Sequence, residues 1–354
     1  MLWGELPTRN ARRNPERTAI VFGDIKYTFK EFNDLANRLA NGLGDIGVRR
    51  GDRVAVLADD CPEHLVVYAA ATKGGTMVVP INPMVGEAGI TYVINNAEAN
   101  TLLFGQNYRQ MVDSICGELG SVRYYIPLDG EGKLTYQGLI DAHSAAEPKV
   151  ELEEGEVVGI MFTSGTTGLP KGTMLTHKGI LANARSSALS IGMTPSDTML
   201  NVAPCFSFAT GWALSLAQYV GGVYAAMPRF APEKWLEMVQ RERATIALLM
   251  TPYLISVLGH PDISKYDLSS LRLVACGGTA PPADLLKKAV EVFGPVVGPM
   301  YGLTEASGSI AYMAQGALAF EGAKARRALS CGKEMLDVEI KVVDDDGNFL
   351  PPAK

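Results

Sequence analysis

The sequence predicts an α/β fold: layered parallel sheets flanked by helices in two similar α/β subdomains, plus the start of a small antiparallel β-barrel. Short apolar runs alternate with amphipathic helical segments through most of the chain, an order typical of parallel sheets covered on both faces. From about residue 311 apolar and polar residues alternate, which favours antiparallel strands. The 354 residues are enough to bury a large core and to form two or three domains.

The first part of the chain contains a predicted hairpin followed by repeated strand–helix units. Residues 18–29 read as strand, tight turn and strand, and residues 7–17 before them as an irregular entry or short helix. Thr28 caps the next helix, and Glu31 completes a capping box. Polar and acidic residues 129–156 are expected to form a surface excursion. Between these segments, the alternation predicts strands at 53–57, 77–80, 101–104 and 122–127, with helices at 62–72, 86–95 and 109–118.

The second part of the chain continues the alternation and then changes character. Helices are predicted at 177–191, 235–243, 252–258 and 282–293, and strands at 245–250 and 271–275. Residues 337–343 alternate and precede a turn, which predicts the first strands of the barrel. We expect three units: an α/β subdomain from residues 1–52 with 195–310, a second from 53–194, and an incomplete β-barrel from 311–354.

Charge and cysteine content argue against several classes of protein. The net charge of -6, without a long basic run, argues against nucleic-acid binding. The five cysteines are widely spaced and form no Cys-x-x-Cys pair, which favours reduced thiols in a cytoplasmic protein over disulfides or zinc. Cys276, beside a Gly-Gly pair, is expected to be a packed apolar residue rather than a nucleophile.

One uncharged stretch, residues 198–228, is long enough to span a bilayer. Asn201, Pro204, Gln218 and a Gly-Gly pair interrupt it. We therefore expect a buried loop and helix there, and no transmembrane segment. The amino terminus lacks the basic start and apolar run of a signal peptide, so none is expected.

The stretch most informative about function follows a predicted buried strand at 157–162. Glycines let a loop direct several N–H groups at a phosphate, and a lysine adds a positive charge for the outer phosphates. A common P-loop needs glycine before its lysine, and Pro170 stands there instead. A solvated loop without a ligand is the alternative interpretation. The candidate phosphate-binding residues are Thr163, Ser164, Gly165, Thr166, Thr167, Gly168 and Lys171.

The order Thr-Ser-Gly-Thr-Thr-Gly-Leu-Pro-Lys-Gly resembles the phosphate-binding signature of the adenylate-forming family. That family includes acyl-CoA synthetases, luciferases and the adenylation domains of peptide synthetases. Residues 271–281 are similar to the strand and Gly-Gly turn that border adenine in the family, and residues 299–305 to its Tyr-Gly-x-Thr-Glu motif. The resemblance implies that adenine is bound by Gly277, Gly278, Thr279, Met300 and Tyr301.

The same resemblance assigns the reacting groups. Thr304 would bind the α-phosphate, and Glu305 would coordinate Mg²⁺, a hard cation that prefers carboxylate and phosphate oxygens. Residues 204–208 resemble the family's Pro-x-Phe-His segment beside the acyl site, with serine in place of histidine. His177 matches a family histidine that is expected to orient the chain. The implied acyl-pocket residues are Phe206, Ser207, Thr210, Gly211 and Gly302.

The resemblance implies an AMP-forming acyl-CoA synthetase, similar to long-chain fatty-acid–CoA ligases, that uses ATP, Mg²⁺, CoA and a carboxylic acid. Serine at position 207 leaves the acceptor open, so a carrier protein or another acceptor is an alternative, as is a catalytically silent nucleotide- or acyl-binding module. Full-length members also carry a ribose-binding aspartate, a hinge and a mobile carboxyl-terminal domain with a catalytic lysine. These features are not among the 354 residues. We therefore expect this chain to be the large amino-terminal portion of an enzyme, which by itself binds ATP weakly and turns over poorly. A homodimer is also possible.

Overall fold

The computed structural model describes residues 1–130, 132–163 and 169–350, which form two β-sheets with helices on their faces. The strands, in chain order, are β1 (Thr18–Phe22), β2 (Ile25–Thr28), β3 (Arg53–Leu57), β4 (Met77–Pro80), β5 (Thr101–Phe104), β6 (Tyr124–Pro127), β7 (Val157–Thr163), β8 (Lys171–Thr176), β9 (Thr198–Asn201), β10 (Val223–Ala226), β11 (Ile246–Met250), β12 (Leu273–Gly277), β13 (Val297–Leu303), β14 (Gly308–Tyr312) and β15 (Lys333–Glu334).

The α-helices, in the same order, are α1 (Glu5–Arg13), α2 (Phe29–Asp45), α3 (Pro62–Gly74), α4 (Gly86–Asn96), α5 (Arg109–Ile115), α6 (Tyr136–Ala142), α7 (His177–Ile191), α8 (Phe208–Val220), α9 (Pro232–Glu242), α10 (Thr251–Leu258) and α11 (Ala283–Phe293). Short 3-10 helices lie at Pro83–Val85, Gln106–Tyr108, Cys116–Glu118, Ile263–Lys265, Thr304–Ala306 and Gly322–Leu329.

The smaller sheet has the strand order β6-β5-β3-β4-β7-β8. Its strands run parallel except β8, which returns antiparallel along β7. The carboxyl ends of β3, β4, β5 and β7 therefore share one edge, where ligands of open α/β sheets bind.

The larger sheet has the order β15-β14-β13-β12-β11-β9-β10-β1-β2. Strands β13, β12, β11, β9, β10 and β1 run parallel to one another, whereas β2, β14 and β15 are antiparallel to their neighbours. The amino-terminal hairpin thus completes a sheet whose other strands come from residues after 197. The domain boundaries expected above stay a prediction.

The predicted α/β class is confirmed, and many elements match their predicted bounds. Thr28 accepts a hydrogen bond from the Glu31 N–H at 3.1 Å, and the Glu31 carboxylate accepts one from the Thr28 N–H at 2.8 Å, which completes the capping box. Strands β3, β4 and β5 and helix α7 begin and end where the apolar pattern predicts. In these segments, local pattern and tertiary packing agree.

The sequence prediction missed β8, β9, β10, β13, β14, β15 and α6. Strand β8 has only one buried residue, Leu175, so its pairing with β7 rather than an apolar pattern defines it. Helix α6 lies inside the expected surface excursion, where Thr135 caps it and its buried residues Tyr136, Leu139 and Ile140 pack against α2. The predicted surface excursion at residues 129–156 therefore contains a packed helix, and the prediction was wrong for this part of it.

The predicted barrel does not close among the described residues. Strands β14 and β15 instead extend the larger sheet, and residues 337–343 form no continuous strand. A single bridge joins Val343 to Phe349 across the predicted turn. The alternation there identified a local hairpin, but the large apolar side chains are exposed, at 66% for Val342 and 68% for Phe349.

The uncharged stretch 198–228 forms β9, α8 and β10, with α8 buried against α7 and the larger sheet. The predicted buried helix is confirmed as α8, whose apolar residues are covered by neighbouring elements, whereas the ends of the stretch form strands instead of loop. Across the described ranges, no helix combines the length and apolar character needed to cross a membrane.

The amino-terminal ends of β9, β11 and β12 are joined by one carboxylate. Asp197 accepts hydrogen bonds from Arg272 Nε at 2.7 Å, from the Thr245 hydroxyl at 2.7 Å and from the Thr194 N–H at 2.7 Å. Burial would raise the pKa of Asp197, but these hydrogen bonds outweigh burial and lower its pKa to about 2. This edge of the sheet is therefore fixed, and the cavities lined by Gly278 or Thr304 lie at the opposite edge.

Candidate active site

The predicted phosphate loop joins two paired strands at the edge of the smaller sheet. Thr163 ends β7 and faces Lys171, the first residue of β8, whose side chain is exposed. Ser164, Gly165, Thr166, Thr167 and Gly168 lie outside the described residues. The Tyr92 hydroxyl donates to the Pro170 carbonyl at 3.2 Å, and the Tyr92 ring meets Phe162 edge-on at 6.5 Å. Both flanks of the loop are therefore held by packed residues.

The second predicted phosphate-binding segment is the turn between β13 and β14. The backbone passes from Gly302 through the 3-10 helix Thr304–Ala306 to Ser307, whose φ of 58° is left-handed. A Cβ on Gly302 would lie 2.5 Å from the Gly308 carbonyl oxygen, so only glycine fits this close crossing. The turn thereby presents Thr304 at the edge of the sheet.

A cavity of about 260 Å³ lies between the two sheets, and we call it the inter-sheet cavity. It brings Thr163 and Pro170, on either side of the phosphate loop, to the same space as Thr304. Strand β8 also contacts the Thr304–Ala306 turn directly. The two segments that the sequence predicts to bind phosphates therefore meet. The remaining lining residues are Pro80, Asn82, Val85, Val93, Met161, Phe162, Phe206, Ser207 and Phe208.

A second cavity of about 270 Å³, the apolar cavity, adjoins the first and shares Ser207, Phe208 and Thr304 with it. None of the described residues that line it is charged. Ser207 is the N-cap of α8, and its Oγ accepts from the Ala209 N–H at 3.3 Å. The other lining residues are Ala209, Trp212, Leu248, Met250, Gly277, Gly278, Met300, Gly302, Leu303, Gly308 and Ser309.

A third cavity of about 320 Å³, the Gly-Gly cavity, lies behind the β12 turn. A Cβ on Gly277 would lie 2.6 Å from the Met300 carbonyl oxygen, and Gly278 has a φ of 83°, so both positions favour glycine. Tyr301 is 50% exposed, so part of its side chain is accessible to a ligand. The residues predicted to bind adenine that line this cavity are Gly278, Thr279, Met300 and Tyr301.

Two predicted acyl-pocket residues, Thr210 and Gly211, line neither the apolar nor the inter-sheet cavity. The Thr210 hydroxyl is buried and lies 2.9 Å from the Ala203 carbonyl and 3.0 Å from the Pro204 carbonyl. Gly211 packs against Tyr68, where an added Cβ would be in ordinary contact at 3.4 Å. These residues support the loop that carries Phe206 and Ser207.

Asp60 is a residue of this loop's environment that the sequence reasoning missed. Its carboxylate accepts a hydrogen bond from the Cys205 N–H at 2.6 Å, which links the smaller sheet to the loop before α8. Burial raises the pKa of Asp60, and the hydrogen bond from Cys205 opposes that shift. The available signal was its position just after a buried strand, at the carboxyl edge of a parallel sheet.

His177 and Cys276 are both buried and packed in the core. His177 is 1% exposed, and its Nδ1 accepts a hydrogen bond from the Trp3 N–H at 3.1 Å, so it fixes the amino terminus against α7. Burial lowers the pKa of His177 to about 4. Cys276 is fully buried, and burial raises its pKa to about 12, so the prediction of a packed thiol is confirmed.

Glu305 is exposed on the Thr304–Ala306 turn. No cluster of three or more histidine, cysteine, aspartate or glutamate residues suited to a metal occurs in the described part of the chain. A single accessible carboxylate fits Mg²⁺, because this ion is commonly held by one or two carboxylates together with substrate phosphates and water. The donor set does not fit an all-protein metal cage.

Two α/β sheets meet at their carboxyl edges around two adjoining cavities that share Thr304, an arrangement that fits the class of adenylate-forming enzymes. Residues 7–354 match the AMP-binding enzyme family, and the chain belongs to that family. It is 29% identical over 99% of its length to a feruloyl-CoA synthase of Amycolatopsis, of which it covers 68%. It is likewise 29% identical over 99% of its length to the medium-chain fatty-acid–CoA ligase of Escherichia coli, of which it covers 64%.

Solved structures agree with these relatives. The amino-terminal domain of FACL13 from Mycobacterium tuberculosis superposes with a TM-score of 0.91 at 26% identity, covering 99% of this chain and 86% of that one. The anthranilate CoA ligase AuaEII, solved with anthranoyl-AMP, gives a TM-score of 0.92 at 26% identity, covering 100% of this chain and 67% of that one. The family match and the relatives together place this chain in the class of AMP-forming acid–CoA ligases. The chain spans about two thirds of the length of these relatives.

Proposed function

We propose that this chain activates a carboxylic acid with ATP and that the acyl group then passes to CoA. In the first step a carboxylate oxygen attacks the α-phosphorus, which forms the acyl-adenylate and releases pyrophosphate. In the second step the CoA sulfur attacks the acyl carbon, the thioester forms, AMP leaves, and the thiol proton passes to solvent. The observation that carries this proposal is the meeting of Thr163, Pro170 and Thr304 around one cavity that adjoins an apolar one.

The first step brings two anions together, so it needs positive charge and N–H donors that are already in position. We assign the outer phosphates to the loop from Thr163 to Gly168 and to Lys171, and the α-phosphate to Thr304. Glu305 would hold Mg²⁺, which when bound offsets phosphate charge. One preorganised donor of this kind typically contributes about 3 kcal/mol to lowering the barrier.

The remaining substrate groups fit the other two cavities. Gly277, Gly278 and Thr279 together with Met300 and Tyr301 would hold adenine, because two backbone positions without Cβ let a flat base approach closely. The acid's apolar part would occupy the apolar cavity, with Ser207 on one side and Gly302 on the other, and Phe206 would contact it from the adjoining inter-sheet cavity. Its carboxylate would then lie beside Thr304, which lines both cavities.

For the acyl acceptor there are two candidates, CoA and a carrier-protein thiol or another acceptor. CoA is supported by the relatives, whose names include acid–CoA ligases. Ser207 favours the second candidate, transfer to a carrier-protein thiol or another acceptor, because a hydroxyl supplies neither the bulk nor the charge of imidazole. The two candidates share the adenylation step and differ only in the second nucleophile.

The use of Mg²⁺, for which exposed Glu305 is the candidate ligand, also belongs to this proposal. So does a cytoplasmic location, which is consistent with the bacterial acid–CoA ligase among the relatives. A homodimer and the three-unit division of the chain stay predictions.

The test is a panel of carboxylic acids assayed for pyrophosphate release, in parallel with this chain and with the full-length product of its gene. We expect acid-dependent pyrophosphate release in the full-length protein and AMP release that rises with added CoA. ATP binding without pyrophosphate exchange for any acid would contradict adenylation. Acid-dependent exchange without CoA-dependent AMP release would instead favour the carrier-protein candidate.

A further inference from the structure

One wall of the apolar cavity is fixed by a neighbouring helix. Trp212 lies on α8, lines the apolar cavity and is 4% exposed. Its indole N–H donates to Oδ1 of Asn183 at 2.9 Å and lies 3.3 Å from the hydroxyl of Ser187. Asn183 and Ser187 are both on α7, so the ring cannot turn without breaking contacts between two helices.

The other end of Asn183 holds the turn that presents Thr304. Its amide N–H₂ group donates to the Ser309 carbonyl at 2.9 Å and to the Ala306 carbonyl at 3.3 Å. Its Oδ1 accepts from both Trp212 and the Ser187 hydroxyl, so the donors and acceptors of this buried amide are in use. One side chain therefore connects the cavity wall to both sides of the Ser307–Gly308 turn.

The fit around this connection is tight. A Cβ on Gly308 would lie 2.4 Å from Asn183 Oδ1 and 2.4 Å from Trp212 Cδ1. The turn, the amide and the indole are thus in mutual contact. Buried, fully bonded polar groups of this kind specify a single arrangement, because each unmade bond leaves a buried group unsatisfied.

Resting on the proposed function, we propose that Trp212 sets the largest acid this site activates and that Asn183 is a positioning residue that couples Trp212 to Thr304. The substrate class is compact carboxylic acids without a second charge, such as short-chain or single-ring acids. A second charge is excluded because no charged residue lines the described cavity to pair with it.

The coupling gives this proposal a kinetic signature. An acid that extends against Trp212 displaces the ring, which breaks its bond to Asn183 and weakens the hold of the Asn183 amide on the Ala306 and Ser309 carbonyls. Thr304 then shifts relative to the α-phosphate, and small misplacements of that kind are costly to rate. Acids that are too long should therefore lower kcat, and not only raise KM.

The experiment separates the two ends of the connection in the full-length gene product. Trp212→Phe removes the indole N–H and part of the ring, and we expect kcat/KM for longer acids to rise about tenfold relative to short ones. Asn183→Asp keeps the acceptor for Trp212 but removes the donors to both carbonyls, and we expect kcat to fall about tenfold for every acid with little change in KM for ATP. The acids are a series from butyrate to palmitate, with benzoate and cinnamate.

Matched controls are available in the same chain. Trp235 is fully buried with an indole N–H that has no described partner, so Trp235→Phe tests loss of ring size alone. Asn37 is buried on α2 and donates to the Ala145 carbonyl at 2.9 Å, so Asn37→Ala tests loss of a buried amide far from the cavity. Both should change stability without changing the acid profile. If Asn183→Asp does not fold, Ser187→Ala is the milder variant, with the same direction expected in kcat.

Each result decides one point. A wild-type protein that adenylates none of the acids refutes the proposed function. Adenylation with palmitate preferred over short and single-ring acids refutes the substrate class. An acid profile and kcat that are the same in the Asn183 and Trp212 variants as in their controls refute the coupling.

Discussion

Gly302→Ala is the sharpest test of how the β13–β14 turn presents Thr304. The new Cβ would lie 2.5 Å from the Gly308 carbonyl oxygen and 2.7 Å from the Ser309 Cα. Real Cβ atoms essentially never approach other atoms below 3.0 Å, so the hairpin must open by at least 0.5 Å, and both obstacles are backbone. Overpacking of this size costs about 1–3 kcal/mol of stability.

The effect on rate should exceed the effect on stability. Thr304 lies two residues after Gly302, so opening the hairpin moves its hydroxyl directly. A displacement of about 1 Å in an active site can cost about a hundredfold in rate. We expect Gly302→Ala to lower kcat for pyrophosphate release between about tenfold and a hundredfold while the protein stays folded.

The control is Gly44→Ala in α2, where the new Cβ would have no neighbour within 4 Å apart from the adjacent backbone of its own helix. It should leave kcat unchanged and raise the free energy of unfolding by up to about 1 kcal/mol, because alanine favours the helix. The two variants are compared by urea unfolding and by single-turnover adenylation. Equal kcat in Gly302→Ala, Gly44→Ala and the wild type would refute the reasoning.

Three further predictions concern charge. Lys171→Ala and Glu305→Gln should each lower kcat/KM for ATP about a hundredfold, with thermal stability almost unchanged because both side chains are exposed; an unchanged ATP dependence would remove them from the site. The folded-state pKa of Asp197 is depressed to about 2, so its contribution to stability is present above the unfolded pKa of about 4 and is lost as pH falls towards 2. Asp197→Asn should therefore lower the free energy of unfolding by about 2 kcal/mol at neutral pH and weaken the pH dependence of stability below pH 4. Parallel acid-unfolding curves for the variant and the wild type would count against this. Because the pKa of His177 is lowered to about 4, the unfolded chain binds more protons than the folded chain between pH 4 and about 6.5, and stability should fall as pH drops through that window. His177→Gln should weaken this pH dependence in denaturant titrations and retain the adenylation rate. Loss of activity without loss of stability would show a catalytic role instead.

The sequence predicted best those elements in which local pattern and burial agree. The strands at 53–57 and 101–104 are short apolar runs that are buried, so their composition was enough. Helix α2 carried its own start signal in Thr28 and Glu31. Strand β8 had no such signal, because an edge strand with one buried residue is defined by its partner rather than by its own side chains.

The site was predictable to the extent that its residues lie in contiguous motifs. Thr304, Gly302 and the residues beside the phosphate loop could be named from the sequence, and the cavities gather them as neighbours. Asn183 and Trp212 could not be named, because their roles depend on partners that only the fold brings near, and Asp60 had only its position after a buried strand as a signal. Thr210 was predicted to line the acyl pocket because of its sequence neighbours, but its hydroxyl donates to the Ala203 carbonyl instead.

The parallel pairing of β1 with β10 has a consequence for how the chain is made. Ile20 lies beside Tyr224, so an apolar strand made early waits for a partner about 200 residues later. At translation speeds of about 5–20 residues per second, that interval lasts roughly 10 to 40 seconds. During this time the backbone N–H and C=O groups at the β1 edge of the first hairpin have no strand partner. Strands β3 to β8 are all synthesised before β10 can pair with that edge. Newly made chains should therefore depend on chaperones until Val223–Ala226 has left the exit tunnel.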